Sequence, residues 1–245
     1  MKKSLVLALS VAMVICALTG CGSKNSAVFE KSEGVMTYDE YVAAPLDSEV
    51  TIEAFVQANQ SWWDNTITLY TQDDKGAYFI YNMPCSEEDS KKILPGTKVK
   101  VTGTKSEWSG EVEIVDATAV EISDVTADLF AAKDVTKDLA DEAKLKESMN
   151  QFVAFKGLTV EPADDNGAAF LYNWDGSGSQ GDDLYFNVSD GTNTYSFTVE
   201  SYLCDSSTDV YKAVEALNVG DKIDCEGFLY WYEGVNPHIT KVTVK

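Results

Sequence analysis

The chain has 245 residues, with 40 acidic side chains against 19 basic ones and a net charge of −21. Every basic residue is lysine, so the planar guanidinium that grips phosphates and guanine edges at two points is missing. Affinity for a polyanion rests on counterions released by clustered positive charge, and nucleic acid is therefore not the expected partner. The single histidine, His238, excludes a multi-histidine metal site and leaves no choice of base for a serine–histidine–aspartate set.

At the amino terminus, Lys2 and Lys3 precede an uncharged run from Leu5 to Leu18. The run is shorter than the roughly 20 apolar residues that span a bilayer and has the proportions of a signal-peptide core. Next comes Leu18-Thr19-Gly20-Cys21, which resembles the bacterial lipobox. The resemblance implies cleavage after residue 20 and a diacylglyceryl anchor on the Cys21 thiol. Cleavage would remove two lysines and no acid, taking the charge from −21 to −23. Two or more acyl chains hold a protein at a membrane where one does not. The expected location is the outer face of a bacterial cell membrane. Gly22 is not the aspartate associated with inner-membrane retention, so an outer membrane is also open in a two-membrane envelope. Residues 21–34 are small and polar and read as a flexible tether.

Further along, Tyr38–Leu46 leads into an alternating strand at Val50–Val56, followed by the hairpin TITLYTQDDKGAYFIYN and a polar helical stretch, Ser86–Ile93. Ala127–Ser148 reads as a connecting helix with Leu129, Leu139 and Leu145 as its apolar positions. A second alternating strand, Phe152–Val160, precedes an acidic, glycine-rich segment at 163–183. Another hairpin follows, DLYFNVSDGTNTYSFTVES, and then a second helical stretch, Ser207–Leu217. Each hairpin turn carries the Asp and Gly that a tight reversal needs.

These elements form a repeat. Gly96, Gly103 and Gly110 stand seven apart, as do Gly220, Gly227 and Gly234, and PGTKVKVTG matches VGDKIDCEG in pattern. Strand, strand, strand, helix, strand, strand occurs twice. That order resembles the OB-fold, a five-stranded Greek-key barrel with a helix between strands three and four. The resemblance implies a mainly β protein of two tandem OB-like barrels joined by a helical connector. The first occupies 35–124; the helical lead-in and the second occupy 125–245.

OB-folds bind ligands on one face between two loops, and here those loops are aromatic. They carry Trp62, Trp63 and Trp108 in the first half and Trp174, Tyr230, Trp231 and Tyr232 in the second. All five tryptophans fall in these segments, and the glycine register places Trp108 and Tyr232 at the same position of the repeat. Rings stack on bases or on the apolar faces of sugars. Given the charge, an oligosaccharide, cell-wall fragment, peptide or envelope protein is the expected ligand of a non-enzymatic binding or adaptor module, with no cofactor. A scaffold whose aromatics are buried between barrels is the first alternative. A hydrolase using the acidic segment, through Asp175 or Asp182, is the second. In that segment Asp164, Asp165, Asp175, Asp182 and Asp183 are weak calcium candidates, lacking the register of an EF-hand loop. Cys204 and Cys225 can form a disulfide in an exported protein, or they and Cys85 remain buried thiols.

Overall fold

The computed structural model describes residues 29–245, so the signal segment, Cys21 and most of the expected tether lie outside the described residues. In the first half five strands form: β1 (Glu49–Asn59), β2 (Thr66–Gln72), β3 (Ala77–Pro84), β4 (Thr97–Trp108) and β5 (Glu111–Thr126). Along β4 burial alternates strictly from Thr97 to Lys105, with Val99 and Val101 turned inward and Lys98 and Lys100 outward. The strands close in the order β1-β2-β3-β5-β4. β1 serves both sides of the closure. Glu49 to Phe55 pairs with β4 and Phe55 to Asn59 with β2, with a register shift between Val56 and Ala58 inside the second ladder; a bulge of this kind bends the strand. α1 (Tyr38–Ala43) precedes the barrel and α2 (Glu87–Ser90) bridges β3 to β4.

The second half repeats the scheme. After the two-residue β6 (Lys133–Asp134) and α3 (Glu142–Lys146) come β7 (Phe152–Glu161), β8 (Leu171–Tyr172), β9 (Leu184–Ser189), β10 (Thr194–Val199), α4 (Asp209–Glu215), β11 (Lys222–Phe228) and β12 (His238–Val244). The order β7-β11-β12-β10-β9 returns to β7 through Thr159–Ser189 to Glu161–Asn187. Matched strand by strand, it is the connectivity of the first barrel. The chain is thus mainly β, with the OB-like topology present twice. Among the described residues, no helix is long and apolar enough to cross a membrane.

The repeated glycines have distinct reasons. Gly96 and Gly220 hold φ of +93° and +95° in the turns that feed β4 and β11, a region that glycine enters without a Cβ penalty. Gly227 sits where β11 crosses β12 at a register shift. A Cβ there would stand 2.2 Å from the His238 carbonyl oxygen and 2.7 Å from Ile239 Cα. Gly227→Ala is expected to cost about 2–3 kcal/mol through overpacking, seen as a lower midpoint in urea with an unchanged slope.

Two expectations are corrected. Ala127–Ser148 is not one helix: it holds only the short β6, a turn of 3-10 helix at Thr136–Asp138 and α3. Leu139 and Leu145 are buried, but Leu129 is exposed, so the apolar positions do not share one helical stripe. Nor is the tether loose up to residue 34. The Phe29 ring packs 5.3 Å from Phe55 and 5.7 Å from Phe130. Lys31 bonds the buried Asp73, and Ser32 donates to Glu53.

The two barrels meet on aromatic surface. Tyr70 and Phe79, on the outer face of β2 and β3, are buried against Phe228 and Tyr230. Tyr70 stacks on Phe228 at 4.4 Å, and Tyr230 stacks on His238 at 4.2 Å. The Tyr70 hydroxyl lies 2.7 Å from His238 Nδ1. Burial pushes His238 down to about 3, so the imidazole is neutral at physiological pH.

Candidate binding grooves

Alternation along β9 sends Leu184, Phe186 and Val188 into the second core and leaves Tyr185 and Asn187 on the outer face. Beside them on β10 stands Ser196, paired with Asn187. The loop before β9 brings Trp174, and the loop between β11 and β12 brings Tyr232, Val235 and Asn236. Together they line a groove of about 270 Å³. This is the strand-two-and-three face flanked by two loops on which OB-folds place ligands. Trp174 is 75% exposed and Tyr232 46%.

The groove walls are held by local hydrogen bonds. Asn173 stands at φ +58° and donates its N–H to the Asp183 carbonyl, setting the turn that carries Trp174. The Asn236 N–H donates to the Tyr230 carbonyl, and its Oδ1 accepts from Thr198 Oγ1 at 2.6 Å. The first barrel braces the loop that carries Tyr232. Glu233 N donates to Ser109 O at 2.8 Å, and Trp231 N donates to Glu111 Oε2 at 3.0 Å. These bonds bring Trp108 against Tyr232, ring centroids 5.1 Å apart. The two residues at equivalent positions of the repeat thus touch across the junction.

The other expected ligand residues divide. Trp63 is 78% exposed, in a separate groove. Trp62 is half-buried: it packs on the first core, and its Nε1 donates to the Cys85 carbonyl at 2.8 Å. Tyr230 and Trp231 are corrections, because both are buried. Consecutive residues of this segment point different ways. Tyr230 goes between the barrels, Trp231 into the second core, and only Tyr232 to solvent. Tyr185 is legible in the sequence as the outward phase of an alternating strand, although it lies outside the aromatic loops. Tyr81 and Tyr202, also exposed, have weaker signals.

The acidic segment does not gather a cation site. Asp164 accepts from the N–H groups of Asn166 and Ala168, Asp175 from Ser177, Asp182 from Ser179, and Asp183 from Ser201. Asp164, Asp175 and Asp182 are used by their own loops and Asp183 by Ser201; the bond from Ala168 N holds Asp164, and the hydroxyl and N–H of Ser177 hold Asp175, below the ordinary carboxylate range. Among the described residues no three metal-ligating side chains come together, which corrects the calcium candidates, Asp165 included. The disulfide expectation is corrected as well. Cys204 and Cys225 are free, buried thiols in the second core, as Cys85 is in the first. There they behave as small apolar groups, and burial pushes all three thiols above their usual range.

No protein-family model matches the chain, and no curated protein matches it in sequence. Among solved structures it is similar to the hypothetical protein ygiW from E. coli, at 16% identity over 36% of this chain and 89% of that one, TM-score 0.26. It is also similar to a murine DNA binding protein bound with double-stranded DNA, at 13% identity over 80% and 96%, TM-score 0.33. A replication protein A heterotrimer bound to single-stranded DNA matches at 11% over 80% of this chain and about half (49%) of that one, TM-score 0.32. Scores of this size say nothing about the ligand of this chain. The class, tandem OB-like barrels, rests on the strand order itself.

Proposed function

We propose that the chain is an exported, lipid-anchored binding protein whose second barrel takes an uncharged oligosaccharide of the cell envelope in the groove of Trp174, Tyr185 and Tyr232. One observation carries this reading: in a chain of net charge −21, the groove is lined by aromatic, aliphatic, amide and hydroxyl side chains and by no charged one. Flat rings offer stacking faces, and Asn187, Ser196 and Asn236 offer neutral hydrogen-bonding groups. Without lysine in the groove, a phosphate backbone finds no counter-charge. A carboxylate pair for general acid and base is likewise not among the lining residues, which favours binding over hydrolysis.

Titration of neutral oligosaccharides, followed by tryptophan emission, tests the reading. Trp174→Ala and Tyr232→Ala are each expected to weaken binding about tenfold or more, since a stacked ring contributes about 1–3 kcal/mol. Unchanged affinity in both variants would leave the scaffold alternative, which Tyr230 and Trp231 already favour by being buried. The anchor is tested separately. Intact mass spectrometry of the membrane fraction should find residue 21 as the acylated first residue; an unmodified, released polypeptide would refute it.

A further inference from the structure

The outer face of β2 and β3 is only partly covered by the second barrel. Tyr70 and Phe79 lie beneath it, whereas Thr68 and Tyr81, one step further along the same faces, are in an open groove of about 610 Å³. Its far wall is Trp63, from the loop between β1 and β2. Its near wall is Tyr202, which belongs to the second barrel. Trp63 is 78% exposed, Tyr202 68% and Tyr81 45%.

The groove is assembled across the junction. Ser61 N donates to the Tyr202 carbonyl at 2.9 Å, and Gln60 Nε2 donates to Glu200 Oε2 at 3.0 Å. Glu200 Oε1 in turn accepts from Tyr202 N at 3.0 Å, so one buried carboxylate ties both walls together. On the barrel-one side, Trp63 and Thr66 exchange backbone bonds at 2.9–3.0 Å around Asp64 and Asn65, whose φ values are +46° and +63°. Asn82 N donates to Thr68 Oγ1 at 3.1 Å. Three exposed rings are thereby fixed to a hydrogen-bonded frame, which reduces the ordering cost of binding.

We infer that this junction groove is a second carbohydrate site, distinct from the one on the second barrel, that takes a neutral oligosaccharide of several rings between Trp63 and Tyr202. Its chemistry selects the ligand. The lining contains no charged side chain, only three rings, the aliphatic Ile67, Gln60, Asn82 and hydroxyls, so a phosphorylated or strongly acidic chain gains no pairing. Peptide recognition by strand addition needs an open sheet edge. Here β2 lies between β1 and β3, and β3 lies between β2 and β5, in a closed barrel. The groove is more than twice as large as that of the second barrel, which suits a longer chain. The site exists only while the barrels are docked, because each supplies one wall.

Calorimetric titration of the full chain with neutral hexasaccharides of glucose, xylose and N-acetylglucosamine tests this inference. In the double variant Trp174→Ala/Tyr232→Ala, which removes the first groove, binding of one hexasaccharide should persist. Adding Trp63→Ala or Tyr202→Ala should weaken it at least tenfold, while Tyr202→Phe, which keeps the ring, should retain most of it. Thermal melts of each variant confirm that the barrels remain folded. The inference is overturned if no hexasaccharide binds the double variant. It is equally overturned if a proline-rich peptide or an oligothymidylate occupies the groove in a Trp63-dependent way and the sugars do not. Loss of binding in the first groove alone leaves this site standing, so the two readings fail separately.

Discussion

Glu111→Gln is expected to flatten the dependence of melting temperature on pH between about 4.5 and about 8, a range over which the parent chain loses stability. Glu111 is fully buried where the turn between β4 and β5 meets the second barrel. Its Oε2 accepts from Trp231 N, and Oε1 has no partner. The neighbouring Asn150 has its Oδ1 unpartnered as well, its Nδ2 being given to the Val112 carbonyl. Burial pushes the carboxyl up to about 8, offset only in part by Asn150 and Trp231 N. Between 4.5 and 8 the folded chain therefore holds a proton that the unfolded chain has released. The resulting stability is complete below about 4.5 and is lost as pH rises through about 8. The separation corresponds to about 5 kcal/mol as an upper bound.

Glutamine keeps an acceptor for Trp231 N and carries a permanent donor that Asn150 Oδ1 can take. Other groups at the junction titrate in the same direction, so the comparison must be made against the parent. Burial pushes Glu200 up to about 7 and raises Glu113, and repulsion within a chain of net charge −21 adds a slope common to both proteins. Calorimetric melts at several values across the range read the difference. Parallel curves for parent and variant would mean that Glu111 ionises in the folded state without cost.

The barrels were legible because their signals are local and repeated. The alternation of Val99 and Val101 against Lys98 and Lys100, the Asp- and Gly-rich hairpin turns, and the seven-residue glycine spacing each follow from backbone geometry. The broken 127–148 segment was less legible, since helix-favouring composition there is overridden by tertiary contacts such as the pairing of β6 with β7. Among the aromatic residues the division was hidden. Nothing local distinguishes Tyr230 and Trp231 from Tyr232, because the burial of Tyr230 depends on where the other barrel docks and that of Trp231 on the packing of the second core. The outward phase of β9 did encode Tyr185 and Asn187, whereas the pairing of Tyr202 with Ser61 joins residues far apart in sequence.

Phe228→Ala is expected to cost about 3–5 kcal/mol, the usual penalty for emptying a buried phenylalanine site, and to change the form of unfolding as well as its midpoint. Phe228 is 3% exposed and lies at the centre of the junction, 4.4 Å from Tyr70 and 5.3 Å from Phe152 by ring centroids. Each barrel has its own buried cluster, and a third, smaller cluster joins them. Removing the central ring withdraws stacking and burial from the joining cluster while leaving Ile52, Leu69 and Val101 in one core and Phe155, Phe186 and Phe197 in the other. If the junction makes the pair unfold as one, the parent should melt in a single transition and the variant in two, with the second barrel retaining its own. The same variant should lose the Trp63–Tyr202 groove, whose walls come from different barrels, while the groove of Trp174 and Tyr185 keeps most of its affinity. A single transition in the variant, with both grooves intact, would show that the hydrogen bonds from Ser61, Gln60 and Trp231 suffice to hold the barrels together without the aromatic centre.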